Sequence, residues 1–406
     1  MIRRMSVIAL WLGAMPPVGH GEVKVVGRVL HTGFPAGGGE VYRPGRWCSA
    51  LVTLRNEGTS PFSGRLVTRQ PDRDGDVAIT ETVVALSPDG QERLYRLDFQ
   101  GNQLGRAESF VIRLCDEQGR TVPVYDGGVR RDVLPAPPVR PLSEETALVL
   151  DLSARPVAAL DRFAEASRRS LKSPLVVARL SAHRLPDRGY ALRGVQGIVW
   201  DAPDPARLQP SQVQALVDYV LAGGVLVVAA ARTAELLEKS PLGPILPVTT
   251  RGTASVDVLQ STWSRLLRTP GKPDSVLYDP AITIARARAR PQTVVLSAQD
   301  DMGIDVVTRG HCGSGVVIFV AVELRDLFQQ VNDGSRFFKE VLGLLDPPDP
   351  KGQFISMSPP HDLSSELQNA VGFESVGGAF LLLAILFVGV YILLCLLYTS
   401  PSPRDS

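Results

Sequence analysis

Three acids, Asp151, Asp201 and Glu323, stand at the ends of apolar runs that read as buried strands (ALVLD, GIVWD and VVIFVAVE). Acids at the carboxyl ends of parallel strands can gather in one crevice, where they would polarise water or hold a cation. These three are therefore the candidate crevice acids. Cys312 lies beside His311, and an imidazole can lower a thiol's pKa enough to make it a nucleophile. Neighbours on a strand point to opposite faces, however, and the glycines of GHCGSG suit a hairpin turn. Asp72, Asp74 and Asp76 alternate as in a calcium loop, yet Gly75 is out of place and the closing glutamate is missing. An Asp-Gly hairpin turn is the expected reading there. The histidines at 20, 31, 183, 311 and 361 have no zinc spacing, and there is neither a phosphate-binding glycine loop nor a Gly-x-Ser-x-Gly elbow. No catalytic residue, metal ligand or cofactor is assigned from these motifs.

Composition narrows the classes. The chain has 406 residues, 44% of them hydrophobic, and a formal net charge of +1, so it can bury more than one core and has no bias toward nucleic acid. Cys48 and Cys115 fall in one candidate domain and an export route would permit a bridge between them. Cys48 shares a face with Ala50, Val52 and Leu54, whereas Cys115 is out of phase with Phe110, Ile112 and Leu114. Buried free thiols are the alternative.

The elements that must position the acids follow from periodicity. Residues 22–133 read as short strands between turns, an all-β sandwich of immunoglobulin-like type, with strands at Cys48 to Leu54, Gly64 to Thr68, Val77 to Leu86, Glu92 to Phe99 and Ser109 to Cys115. Residues 134–143, rich in proline, read as a stiff linker. From 144 to 346 the pattern alternates. Strands at Ala147 to Leu152, Leu175 to Leu180, Gly197 to Asp201 and Val225 to Ala231 are separated by helices at Pro156 to Arg169 and Ser211 to Gly223, the latter with Ser211 and Gln214 as a capping pair. Later strands at Ile282 to Ala289, Thr293 to Ala298, Ile304 to Thr308 and Val316 to Val322 precede a helix near Ser335 to Leu345. Such alternation implies an α/β parallel sheet covered on both faces.

The two ends carry targeting signals. Residues 1–21 have a basic head, an apolar middle and small residues, as a cleaved secretory signal requires. After a juxtamembrane segment at 347–375, Val376 to Leu394 is uncharged and long enough for a transmembrane helix, with lipid as its partner. The run Cys395 to Asp405, within the tail 395–406, resembles a translated transposon-end sequencing adaptor, which would place the natural end beyond Leu394.

The stretch Gly194 to Ala231, with Asp201 and YVLAGGVLVVAA, together with GHCGSGVVIFVAVEL, resembles the class I glutamine-amidotransferase-like fold, of flavodoxin-like type, over Thr146 to Asp346. Active members of that family carry a cysteine nucleophile at a strand-to-helix turn. Here the matching turn is Ala230-Ala231-Arg232-Thr233, so the resemblance implies a domain without amidotransferase chemistry. Asp151-Leu152-Ser153-Ala154-Arg155 resembles the metal site of von Willebrand A domains, but Arg155 replaces the last serine and would repel a cation. An N-cap role for Ser153 is expected instead. The whole layout resembles bacterial envelope proteins that accompany MoxR-type ATPases and von Willebrand A membrane proteins. That resemblance implies an extracytoplasmic, non-catalytic scaffold or binding protein, single-pass in the inner membrane, with other envelope proteins as partners. The rivals are an envelope hydrolase using Asp151, Asp201 and Glu323, and a glycan-binding module.

Overall fold

The computed structural model describes residues 22–71, 77–101, 111–170, 174–259, 276–299, 301–329, 334–344 and 385–393. Two compact units divide at Pro347. In the first, the strands before the helical region are β1 (Val25–Thr32), β2 (Phe34–Ala36), β3 (Gly39–Tyr42), β4 (Trp47–Asn56), β5 (Phe62–Pro71), β6 (Val77–Leu86), β7 (Arg93–Gln100), β8 (Ile112–Asp116), β9 (Thr121–Val122), β10 (Val124–Asp126), β11 (Val129–Arg131) and β12 (Val139–Pro141). Next come β13 (Ala147–Asp151), α1 (Ala158–Ser170), β14 (Leu175–Arg179), β15 (Gly197–Asp201), α2 (Pro210–Leu221), β16 (Val225–Ala229) and α3 (Ala234–Lys239). The unit continues with β17 (Val248–Leu259), β18 (Val276–Ala289), β19 (Val294–Gln299), β20 (Ile304–Cys312), β21 (Gly315–Val320), α4 (Leu324–Leu327) and α5 (Ser335–Leu342).

Two sheets use only the early strands, in the orders β11-β10-β1-β4-β7 and β6-β5-β8-β9. Alternation explains them: Val25, Gly27 and Val29 of β1 turn inward while Arg28 turns out. The third sheet has ten strands in the order β12-β3-β2-β14-β13-β15-β16-β21-β20-β19. Its centre, β14-β13-β15-β16-β21, is parallel. These strands are nearly continuous apolar runs because helices cover both faces, and every residue of β13 and β15 is buried. A long two-stranded ribbon, β17 with β18, completes the unit.

Several expectations need correcting. Among the described residues there is more strand than helix, in several sheets. The large sheet is mixed and not parallel throughout: β2 joins β14 antiparallel, β19 and β20 run antiparallel at the other edge, and β2, β3 and β12 come from the early part of the chain. β19 ends the sheet as an edge strand, with Val294 and Val295 exposed and Ser297 and Gln299 buried. β12 lies inside the proline-rich run and pairs with β3. Cys48 and Cys115 are free thiols on β4 and β8, which belong to different sheets.

The expected transmembrane helix and single-pass inner-membrane location are also overturned. Among the described residues no helix is long and apolar enough to cross a membrane. Within the expected span only residues 385–393 are described, as helix. The secretory-signal reading of residues 1–21, the tail 395–406 and the Asp72 to Asp76 turn lie outside the described residues.

Candidate functional site

The order of the parallel strands reverses between β13 and β15, so the crevice at their carboxyl ends is where a ligand would sit in an open α/β sheet. Asp151 ends β13, Asp201 ends β15, and Glu323 follows β21 just before α4. The structure thus brings all three acids to one edge, and each is buried.

Each acid already has partners. Asp151 accepts the backbone N–H of Ser153 at 3.0 Å on one oxygen and that of Val157, at the approach to α1, at 3.3 Å on the other. Asp201 reaches across to α4, where Oδ1 accepts the Leu324 N–H at 2.6 Å and Oδ2 the Arg325 N–H at 3.4 Å. It therefore does for α4 what a capping residue does from within the chain. Glu323 pairs through Oε1 with Arg232 at 3.3 Å and through Oε2 with Arg325 at 3.6 Å. Asp326 joins the same two arginines at 3.8 and 3.5 Å. Arg232 also donates to Thr283 Oγ1, which ties β18 to this edge.

Burial is the main electrostatic influence. It pushes Asp201 up to about 6, helped by the Glu323 charge and opposed by the Leu324 and Arg325 N–H groups and the Arg325 charge. Burial also raises Asp151, against its Ser153 and Val157 hydrogen bonds and the Arg179 charge. A raised carboxyl can serve as a general acid or base only if a substrate reaches it. Here both oxygens of Asp151 and of Asp201 face backbone donors, and Asp151 is 2% exposed.

The other candidates resolve simply. The turn after β16 holds buried Ala230 and Ala231, followed by Arg232 with its guanidinium committed to acids. Ser153 does not cap α1; its hydroxyl accepts the Asp201 N–H at 2.9 Å and links the two crevice strands. No group of three or more possible metal ligands occurs among the described residues. His311 and Cys312 end β20 beside the two-residue turn Gly313-Ser314, where Gly313 has φ +61° and Cys312 pairs with Gly315. The capping pair of α2 is shifted from the expectation: Gln212 Oε1 accepts the Gln209 N–H at 2.9 Å, while Gln214 donates to Asp218.

Sequence reasoning missed the arginines that neutralise the crevice. Arg232 sits in the turn already singled out for its lack of a nucleophile, and the alternating charges of Glu323-Leu324-Arg325-Asp326 were the available signal.

No family model matches the chain, and no curated protein matches it. Among solved structures it is similar to a β-galactosidase from Rahnella sp. R3, at 15% identity over 49% of this chain and 32% of that one, with a TM-score of 0.33. A β-galactosidase from Bacillus circulans sp. alkalophilus gives 13% identity over 49% and 31%, with a TM-score of 0.29. A ThuA-like protein from Parabacteroides merdae gives 12% identity over 51% and 94%, with a TM-score of 0.32. The chain spans about a third of the two β-galactosidases. Likeness at this level carries no functional argument.

Proposed function

We propose that this chain is a non-catalytic binding protein. The observation that carries the reading is the occupancy of the crevice acids: Asp151 and Asp201 spend all four carboxylate oxygens on backbone N–H groups of neighbouring segments. Glu323, the third acid, is neutralised by Arg232 and Arg325. A hydrolytic pair needs one carboxyl aimed at a leaving group and another at a water or a reacting carbon. These carboxyls are instead aimed at the protein. The turn after β16 supplies neither thiol nor hydroxyl at Ala230, Ala231 or Arg232. Positioning acids in this way stiffens a sheet edge on which loops can present a binding surface.

The purified protein should release no chromophore from nitrophenyl glycosides, esters or phosphodiesters beyond the level given by Asp151→Asn/Asp201→Asn. A wild-type hydrolysis that this double variant loses while keeping its circular dichroism would make the crevice an active site and sink the reading.

A further inference from the structure

On the side of the large sheet where α2 packs, a groove of about 530 Å³ runs between α2 and the 3-10 turn Gly189–Leu192. It is lined by Asp187, Arg188, Tyr190 and Arg193 at the turn and by Ser211, Gln214 and Asp218 from the outer face of α2. It shares no lining residue with the carboxyl-end acids. Its volume lies in the range of small-ligand sites.

Three features of the groove select a ligand. First, Tyr190 is 40% exposed and meets Trp47, 37% exposed, in an edge-to-face pair with centroids 5.5 Å apart. In an edge-to-face pair, the ring that gives its edge keeps both of its own faces clear of its partner. The tyrosine is held in place, because its hydroxyl donates to Asp98 at 2.8 Å and Asp98 in turn accepts from Ser49. The turn itself is fixed by the Arg96 to Asp187 ion pair, and its approach to α2 needs Gly189, where an added Cβ would lie 2.6 Å from Asp218 Cβ.

Second, the side chains of Arg188 and Arg193 are exposed, and their guanidiniums make no ion pair or hydrogen bond with any described residue. The acids nearby are engaged: Asp187 with Arg96, and Asp218 with the Gln214 amide. Two unpaired guanidiniums on one wall favour an anion, and their planar forks suit a carboxylate.

Third, the opposite wall offers the Ser211 hydroxyl and the Oδ2 of Asp218, whose Oδ1 holds the Gln214 amide. Carboxylate acceptors would repel a multiply charged phosphate but accept readily from hydroxyls. An aromatic ring for C–H surfaces, an acceptor for hydroxyls and guanidiniums for a carboxylate together describe an acidic sugar.

We infer that the groove between α2 and the Gly189–Leu192 turn binds a uronate-bearing saccharide, with Arg188 and Arg193 on its carboxylate and Tyr190, backed by Trp47, against its ring. This deepens the binding reading and rests on it. A glycan array of uronate disaccharides beside their neutral counterparts, which differ only in carboxylate against hydroxymethyl at C6, tests it. The wild type should bind uronates and bind the neutral sugars at least roughly tenfold more weakly. Arg188→Gln and Arg193→Gln should each lower uronate affinity about tenfold, as loss of a charge-assisted hydrogen bond does. Tyr190→Ala should abolish binding. The thermal midpoints of the two arginine variants should stay at the wild-type value, since neither guanidinium has a partner to lose among the described residues. Absence of uronate binding, equal binding of neutral sugars, or arginine variants that bind like the wild type would each overturn the inference. Recovery of the bound disaccharide intact supports the binding reading. Its cleavage would refute that reading while leaving the groove's ligand class standing.

Discussion

At the scale of single residues, buried ionisable groups set how stability depends on pH. Glu40 on β3 accepts the Thr32 N–H at 2.8 Å, and burial lifts its carboxyl from 4.5 to about 7. Between those values the folded chain keeps a proton that the unfolded chain has lost, so stability falls as pH rises through the window. Asp201 acts in the same direction between 3.8 and about 6. His31 acts in the opposite direction, because burial and the charges of Arg184 and Arg96 lower it from 6.5 to about 4. Its contribution is complete above 6.5 and is lost as pH falls toward 4. The slopes partly cancel in the wild type. Glu40→Gln should therefore leave a profile in which stability no longer declines between 4.5 and 7, measured by denaturant unfolding across pH. A variant profile parallel to the wild type would contradict the assignment. Tyr219, buried on α2, exchanges hydrogen bonds with Val195 and Val225 through its hydroxyl. Tyr219→Phe should cost about 1 kcal/mol, read from the shift in urea midpoint, and a neutral change would show that the hydroxyl is idle.

At the scale of elements, close backbone approach and aromatic packing hold the crevice strands in register. β21 begins at Gly315, where an added Cβ would lie 2.0 Å from the Val220 carbonyl oxygen at the end of α2 and 2.5 Å from that of Gly224. Both neighbours are backbone, so the clash is relieved only by moving α2 from the sheet. Gly315→Ala should cost about 2 kcal/mol or more in chemical unfolding, and full tolerance would mean that this contact does not set the distance. Phe338 of α5 stacks on Phe163 of α1 and on Phe328, and meets Phe337 edge-on. Phe338→Ala should cost about 3–5 kcal/mol. Much of this level was legible beforehand. Val77–Leu86 and Gly197–Asp201 match their expected limits because alternation defines the first and an unbroken apolar run the second. β17 was not seen, since Thr249, Arg251 and Gly252 hide its period, and its pairing with β18 shifts register twice. The capping pair of α2 was set two positions late at Ser211, because a serine is a more familiar cap than Gln209.

At the scale of the whole molecule, the sequence indicated which acids would meet but not what they would meet. Apolar runs ending in Asp151, Asp201 and Glu323 implied a shared edge, and the topology places them on one. Their occupants depend on contacts between residues far apart in the chain, 123 positions for Asp201 with Leu324 and 91 for Arg232 with Glu323, which no local pattern encodes. The joining of β2, β3 and β12 to the large sheet was hidden for the same reason: three- and four-residue strands carry too few residues to show a period. The Trp47 and Tyr190 pair likewise joins β4 to a turn far along the chain. The central claim is that the crevice acids are structural, and thermal unfolding of Asp151→Ala/Asp201→Ala tests it most directly. The substitution strips acceptors from four backbone N–H groups, those of Ser153, Val157, Leu324 and Arg325. With orphaned donors costing about 1–3 kcal/mol each when buried, and less where water replaces the acid, the midpoint should fall by several degrees or more. A midpoint that rises instead is what removal of buried charge from an active site produces, and it would contradict the claim.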